Sequence, residues 1–192
     1  MANTNNPIVV DVGEILLADR TVGENGQVTY ETPKSVSTAA SVKTAYTKGK
    51  TVVYESGVAV LNRPYVSMAE VTVQTSTMSL ADRMSLFFSL QPKDNGEFEE
   101  GSDADRPAEK ALGYWYKLSD GSYYCIWWFN ASAQPADESG ETSDDTGPKV
   151  TPQDIIFSCV TDPVLHLRRR VAIVKDEAAR QAFFASVIKA SA

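Results

Sequence analysis

Few residues in this chain are suited to acid–base or nucleophilic chemistry, because it contains one histidine, His166, and two cysteines, Cys125 and Cys159. A Ser-His-Asp or Cys-His arrangement would have to be built around that single imidazole. His166 lies beside Arg168 and Arg170 in a stretch that is typical of a strand, so a structural role is favoured. The cysteines lack the C-x2-C spacing of zinc sites and are predicted to be buried thiols on strands. A disulfide between them stays open at this stage, although disulfides are uncommon in a cytoplasm.

Other ligand-binding motifs are missing from the sequence. It has neither the G-x-x-x-x-G-K loop nor the G-x-G-x-x-G fingerprint that cradles phosphates. Asp144 and Asp145 lack the register of an EF-hand, which favours a solvated loop over a calcium site. Carboxylates are numerous, but no spacing selects an acid–base pair. We therefore expect no catalytic residue, no metal site and no cofactor, and a protein that is not an enzyme.

The basic run Arg168-Arg169-Arg170 raises the question of phosphate contacts. On a strand, alternate side chains point to opposite faces, so Arg168 and Arg170 share a face and Arg169 points the other way. Three arginines without a wider basic surface or nearby stacking aromatics give a weak nucleic-acid signal. An ion pair with a neighbouring element, or simple solvation, is the favoured role.

The composition fits one globular domain over residues 1–192, with 43% hydrophobic and 22% charged residues. The net charge of −7 is unevenly placed, because residues 93–106 contain six acids and residues 134–147 contain five. Both segments are predicted to be solvated acidic loops. No apolar run approaches the ~20 residues that span a bilayer. The polar start does not resemble a signal peptide, so we expect a cytoplasmic protein.

The elements that would position any site are mostly strands. Two aromatic-rich runs around Asp120-Gly121 predict a β-hairpin over residues 111–129, and this hairpin holds all three tryptophans. Further segments are predicted as extended at 36–46, as a turn at 48–50, and as strands at 51–54, 65–75, 150–160 and 164–174. One helix is predicted to begin after Ser79 and to end before Pro92, and a second to begin near Asp176.

Within residues 65–75 the side chains alternate with a period of two, which predicts a strand with one buried and one wet face. Val71 and Val73 mark the buried face. The polar face carries Glu70, Thr72 and Gln74. The fold predicted from these elements is mainly β, a β-sandwich or open barrel with two short α-helices.

The order of these elements resembles that of the major tail proteins of long, flexible-tailed bacteriophages. The resemblance covers roughly residues 10–190 and rests on the order of elements more than on identity. It begins with the VTYETPK segment at residues 28–34. Its most specific part is the hairpin with ALGY at 111–114 and GSYYCIW at 121–127, then AQPADE at 133–138 and VTP at 150–152.

The resemblance implies a tail tube subunit, a β-sandwich flanked by helices that assembles into hexameric rings stacked around a channel for DNA. Residues 1–12 would form an N-terminal arm. The candidate lumen-lining residues are Glu70, Thr72 and Gln74. A loop at residues 45–64 would reach the next ring, unless it is an ordinary surface hairpin. Its candidate contacts are Tyr46, Lys48, Lys50, Tyr54 and Arg63.

The partners implied are copies of the chain itself, a tape measure protein, and tail terminator and tail tip proteins. Phage DNA would pass through the lumen without specific binding, and no membrane would be involved. The implied location is the virion tail, after assembly in the host cytoplasm.

Alternatives to a tail tube subunit stay open. The chain could form a ring at the tube's end, or the inner tube of a related injection machine. It could also be an unrelated enzyme or a carbohydrate-binding β-sandwich. Exposure of Trp127 and Trp128 as an aromatic platform would favour sugar binding, whereas their burial would oppose it.

Overall fold

The fold is a curled antiparallel sheet with two short helices, which confirms the predicted mainly β, sandwich or open-barrel class. The structure is a computed structural model and describes residues 7–55, 58–75, 78–90, 92–99, 107–134 and 152–188. The strands are β1 Val9–Val12, β2 Glu14–Val22, β3 Val28–Tyr30, β4 Lys34–Thr38, β5 Ser41–Glu55, β6 Val58–Thr75, β7 Lys110–Leu118, β8 Tyr123–Gln134, β9 Gln153–Val160 and β10 Arg169–Val174. The helices are α1 Leu80–Phe88 and α2 Glu177–Phe184.

The central strand of the sheet is β8. The main path runs β3-β2-β7-β8-β9-β6-β5, while β1 pairs with β7, β4 with β2 and β10 with β8. Strands β9 and β10 lie along the same side of β8, one after the other, because β9 pairs with residues 130–134 and β10 with residues 123–128. The sheet therefore divides at β8. Its residues 130–134 lead through β9 to β6 and β5, whereas its residues 123–128 have β10 as their neighbour on that side.

The aromatic hairpin predicted at residues 111–129 is confirmed as the antiparallel pair of β7 and β8. Gly121 has a φ of 83°, a backbone conformation that glycine adopts without steric cost. The carboxylate of Asp120 accepts hydrogen bonds from the backbone N–H and the hydroxyl of Ser122, which fixes the turn. Trp127 and Trp128 are adjacent in β8 and both 0% exposed, so both faces of the sheet are covered here.

Two hydrophobic clusters cover the opposite faces of the sheet. The inner cluster joins β2, β6, β7, β8 and β9 to α1 and includes Val71, Val73 and Trp128. The outer cluster joins β2, β7 and β8 to α2 and includes Trp127 and Phe184, whose rings lie 5.4 Å apart. Polar contacts close the inner cluster, because Trp128 Nε1 lies 3.3 Å from Tyr114 Oη and this oxygen lies 3.2 Å from Thr44 Oγ1 on β5.

Both helices begin as the sequence predicts. Ser79 caps α1 by accepting a hydrogen bond from the N–H of Asp82, and Asp176 caps α2 by accepting one from Ala179. The first helix ends at Phe88, and the next residue, Ser89, adopts a left-handed conformation before Pro92. At the other end of α2, Arg170 donates hydrogen bonds to the carbonyls of Phe183 and Ser186, which satisfies groups that the helix leaves unpaired.

Two predictions about the first half of the chain are wrong. Residues 48–50 form no turn and residues 51–54 no separate strand, because all of them lie within the 15-residue strand β5. The region 45–64 is not a loop, since β5 and β6 pair along their whole length from Ser41 with Gln74 to Glu55 with Val58. Within the predicted N-terminal arm at residues 1–12, residues 9–12 form β1 and pair with β7, while residues 1–6 lie outside the described ones.

His166 does not lie in a strand, because β10 begins at Arg169 rather than at residue 164. His166 has a φ of 52° and its N–H donates to the carbonyl of Asp162. The carboxylate of Asp162 accepts two further N–H groups, from Val164 and Leu165, and so holds this segment as a turn. Of the two acidic segments, residues 100–106 and 135–147 lie outside the described ones, and residues 93–97 form a turn closed by Lys93 and Glu97.

Candidate functional site: a polar sheet face and a two-stranded arm

The predicted alternation in β6 is confirmed, and its polar residues belong to a larger polar surface. Val71 and Val73 are 0% and 1% exposed, while Glu70, Thr72 and Gln74 lie half-buried on the opposite side. Strand pairing places residues of β5, β9 and β8 beside them. This polar face consists of Ser41, Lys43, Ala45, Glu70, Thr72, Gln74, Ser132, Gln134, Asp154, Ile156 and Ser158.

Hydrogen bonds run across the polar face from strand to strand. Gln74 Nε2 donates to Asp154 Oδ1 at 3.2 Å, and Gln134 Nε2 donates to Ser158 Oγ at 3.0 Å. Its charged residues are Lys43, Glu70 and Asp154, so the face has a small net negative charge. Such a surface is wet and nearly neutral, and it offers no cluster of cations that would bind a phosphate backbone.

Both margins of the polar face are open. In the ladders that the structure describes, β5 pairs with β6 alone. On the far side, the last pair between β7 and β8 joins Lys110 to Ala131, so residues 132–134 pair with β9 only. Unpaired N–H and C=O groups at a strand margin are a template for a further strand. The polar face therefore has two different margins at which another chain could continue the sheet.

A two-stranded arm extends from one end of the polar face. Strand β9 pairs with β6 only over residues 69–75, so residues 48–55 and 58–66 pair with each other alone in the described ladders. We call these two segments the arm, and at ~3.3 Å per residue it is roughly 26 Å long. An isolated two-stranded ribbon is marginally stable in water, which makes a further contact for the arm energetically favourable.

The residues predicted to contact a neighbouring ring do not share one surface. Tyr46 lies at the root of the arm, and Lys48 and Lys50 follow it at two-residue spacing, so all three point to one side of β5. Arg63 pairs with Thr51 and therefore points to the opposite side. Tyr54 lies in β5 opposite Ala59, and its side chain lies outside the described residues.

Sequence reasoning missed the contact that keeps Gly49 in a continuous strand. Tyr65 lies directly over this glycine, so that a Cβ added to Gly49 would be 2.5 Å from the Tyr65 Cζ atom. An aromatic ring that covers a cross-strand glycine compensates for the missing side chain. Tyr65 lies in a segment that the sequence predicts as a strand. Its pairing with Gly49, however, depends on the register of β5 against β6, which the sequence does not give.

The three consecutive arginines contact neutral groups. The Arg169 guanidinium carbon lies 5.5 Å from the ring centroid of Trp128 and 5.8 Å from that of Tyr46. Arg168 donates hydrogen bonds to the carbonyl of Val66 and to Thr161. Arg170 lies over Phe183 at 4.1 Å and binds the end of α2. The predicted roles as ion-pair partners or simply solvated side chains therefore miss these contacts.

The cysteines are buried and unpaired, which confirms their predicted environment and excludes a disulfide between them. Burial raises the pKa of Cys125 to about 11, although Arg180 and Arg170 partly oppose this effect. Burial likewise raises the pKa of Cys159 above its ordinary range. Both thiols are therefore protonated and unreactive near neutral pH.

Within the part of the chain that the structure describes, no group of three or more His, Cys, Asp or Glu side chains could hold a metal ion. No described helix is long and apolar enough to cross a bilayer. Comparison of the sequence with protein-family models and with curated proteins finds no match.

Proposed function

We propose that this chain is a structural virion protein, the tail tube subunit of a long, flexible-tailed bacteriophage, which assembles into stacked rings. The observation that carries the proposal is the polar face, a four-stranded wet surface with an open strand margin on each side. The order of elements along the chain, which resembles that of major tail proteins, supports the same function. The partners are then copies of this chain, with tape measure, terminator and tip proteins at the ends of the tube.

Two unlike margins favour a ring over a two-fold dimer. If the β5 margin of one copy pairs with residues 132–134 of the next, the contact is head-to-tail. Repeated contacts of this kind form a closed ring when the rotation between neighbouring copies is a whole fraction of a full turn. Each copy contributes four strands to such a barrel. With ~4.8 Å between strands, six copies would give about 24 strands and a backbone diameter of roughly 37 Å for untilted strands, which the tilt of barrel strands increases. A channel of this width leaves room for side chains, water and a DNA duplex.

The chemistry of the polar face suits passage of DNA without retention. DNA carries one negative charge per ~1.7 Å of its axis, and it binds wherever lysines and arginines neutralise its phosphates. Here Lys43 is outnumbered by Glu70 and Asp154, so each copy would present a slight excess of negative charge. Weak repulsion within a Debye length of ~10 Å at 0.1 M salt keeps DNA from binding the wall.

The arm is proposed to contact the next ring. It extends beyond the sheet, its exposed Lys48, Lys50 and Arg63 give it a positive charge, and its two strands have no third strand in the described ladders. The alternative of an ordinary surface hairpin predicts that the arm can be removed without effect on assembly. A ring at the tube's end and the inner tube of a related injection machine would share the polar face. A count of copies per particle separates a tube subunit from an end ring.

Burial of Trp127 and Trp128 disfavours the carbohydrate-binding alternative. Both indoles are 0% exposed, and they lie beneath the inner and outer clusters rather than on a platform. Neither indole face is therefore available for a sugar ring to stack on.

Electron microscopy of the purified protein at high concentration tests the proposed function. We expect hollow tubes with a regular ring repeat. A species that stays monomeric at every concentration, also with a crowding agent present, or that forms a closed two-fold dimer, would contradict the proposal.

Thiol labelling of such tubes tests which face lines the channel. We expect a Thr72→Cys variant to react with a large polyethylene-glycol maleimide as dispersed subunits and to be protected in tubes. Gln181→Cys on α2, where Gln181 is exposed, is the control and should react in both states. The native cysteines give little background because both are buried. Equal labelling of Thr72→Cys in tubes and subunits would show that the polar face does not line the lumen.

A further inference from the structure

The arm leaves the sheet at a β-bulge. The pairing of β5 with β6 shifts between Thr47 and Lys48, because Ser67 is an extra residue on β6. The Ser67 hydroxyl donates to the carbonyl of Thr47 at 3.3 Å across this bulge. Bulges bend a strand and increase its twist, so the direction of the arm is set at this point. A two-stranded ribbon hinged at a bulge needs a second contact to keep one direction.

Arg169 supplies one such contact from β10. Its Nη1 atom donates to Tyr46 Oη at 2.8 Å, and its guanidinium lies within 6 Å of the ring centroids of both Tyr46 and Trp128. Trp128 is 0% exposed and belongs to the inner cluster, so it is a rigid base. Tyr46 is the last aromatic residue of β5 before the bulge. Arg169 therefore connects the root of the arm to the fixed part of the sheet.

Arg168 supplies a second contact on β6. Its Nη2 atom donates to the carbonyl of Val66, which is the residue of β6 paired with Lys48 at the start of the arm. Its Nε atom lies 3.3 Å from Thr161 Oγ1, at the end of β9. Arg169 thus holds β5 just before the arm begins and Arg168 holds β6 where the arm begins. Both arginines come from the chain segment that enters β10.

We propose that Arg168 and Arg169 form a latch that holds the arm in one direction relative to the polar face. We call these two arginines, with Tyr46 and the Val66 carbonyl, the arm-root latch. Its value to assembly rests on the proposed function, because an arm that is already oriented loses less conformational entropy when it meets a neighbouring copy.

The arm-root latch has a distinctive chemistry, since its two guanidiniums contact aromatic rings, hydroxyl groups and a carbonyl. An arginine stacked on aromatic rings cannot be replaced by lysine without loss of the planar contact. Contacts with neutral groups are also screened less by salt than exposed ion pairs are. The latch should therefore depend on the guanidinium shape and resist high ionic strength.

Limited proteolysis with trypsin measures how often the arm opens, because proteases cleave transiently opened segments. Relative to the wild-type protein, Arg169→Ala is expected to increase cleavage after Lys48 and Lys50 by roughly five- to thirty-fold. The reason is that the variant loses the cation–π contact and the hydrogen bond that Arg169 makes at the root of the arm. Lys43 is an internal reference, because it lies in β5 where β6 also pairs with β9. Cleavage there should not change.

Milder variants keep the experiment decisive if Arg169→Ala folds poorly. Tyr46→Phe removes one hydrogen bond and Arg169→Lys removes the stacking, so both should give intermediate increases. Lys117→Ala, which removes an exposed charge from β7, is the matched control and should leave cleavage unchanged. About 1 M KCl should leave the wild-type cleavage rate unchanged as well. Unchanged cleavage at Lys48 and Lys50 in Arg169→Ala, or an equal rise at Lys43, would refute the latch.

Assembly gives a separate readout. If wild-type tubes form, Arg169→Ala should lengthen them more slowly in light scattering at the same protein concentration. If trypsin shows that the arm of Arg169→Ala opens more often but its tubes grow at the wild-type rate, the latch has no role in assembly. If the wild-type protein forms no tubes, the proposed function fails, while the trypsin result still decides whether the latch holds the arm.

Discussion

Replacing Asp162 with alanine is expected to lower the free energy of unfolding by about 3–5 kcal/mol. Arg20 Nε donates to Asp162 Oδ2 at 2.7 Å, and the two side chains are only 4% and 0% exposed. Without this carboxylate, the guanidinium of Arg20 loses its buried counter-charge and keeps only the exposed Glu109. The N–H groups of Val164 and Leu165 also lose their acceptor. Urea denaturation followed by circular dichroism measures the change.

Glu109→Ala is the matched control for Asp162→Ala. Glu109 is the second carboxylate at Arg20, with its Oε2 atom 2.5 Å from Nη1, but its side chain is 52% exposed. Exposed ion pairs contribute only about 0–1 kcal/mol, so this variant should lose little stability. If Asp162→Ala were no more destabilising than Glu109→Ala, the buried pair would not be a principal stabilising contact.

The same carboxylate makes stability depend on pH. Burial alone would raise the pKa of Asp162, but hydrogen bonds from Arg20 and from the N–H groups of Leu165 and Val164 outweigh it and lower the pKa. A carboxyl with a lowered folded-state pKa stabilises the fold above its unfolded pKa of about 3.9, and this stabilisation is lost as the pH falls through the folded pKa. Between pH 7 and pH 2 the wild-type protein should therefore lose more stability than Asp162→Ala does.

Removal of the arm is expected to abolish tube formation while the fold stays intact. The deletion that the structure favours removes residues 49–65 and joins Lys48 to Val66 through Asn-Gly, since these two residues are paired and Asn-Gly closes two-residue hairpins. The inner and outer clusters contain no described residue of the deleted segment, so the free energy of unfolding should change by less than about 1 kcal/mol. Electron microscopy and denaturation measure the two effects.

A deletion of Lys48–Lys50 alone would be a poor test, because it removes an odd number of residues from β5. Every side chain beyond the deletion would then point to the other face.

A full-length variant with Lys48→Ala, Lys50→Ala and Arg63→Ala separates the charge of the arm from its shape. If the chain that lacks residues 49–65 still forms tubes of normal length, the arm is an ordinary surface hairpin and does not contact the next ring.

Local signals in the sequence were enough to predict the hairpin around Asp120-Gly121 and the starts of both helices. In each case the turn or cap is made by residues within four positions of one another, such as Ser79 with Asp82. The polar alternation at Glu70, Thr72 and Gln74 was predicted for the same reason, since the pleat of a strand is a local property.

The arm could not be predicted, because its sequence contains residues that usually end strands. Gly49 stays in β5 because Tyr65 covers it, and Pro64 is tolerated in β6 because that part of the strand has β5 on one side only in the described ladders. The pair of Arg20 and Asp162 was missed for a different reason. These residues are 142 positions apart, and no local pattern indicates which buried charges will meet.

The adjacent tryptophans of β8 make the protein its own optical probe. Trp127 lies against Phe184 of α2, whereas Trp128 lies under Arg169 at the root of the arm. Trp115, which lies under Arg180 of α2, is replaced by phenylalanine in both variants so that it does not contribute. Replacing Trp127 as well then leaves Trp128 near the arm, and replacing Trp128 instead leaves Trp127 against α2. Fluorescence quenching in the two variants would then distinguish movements on the two sides of one strand.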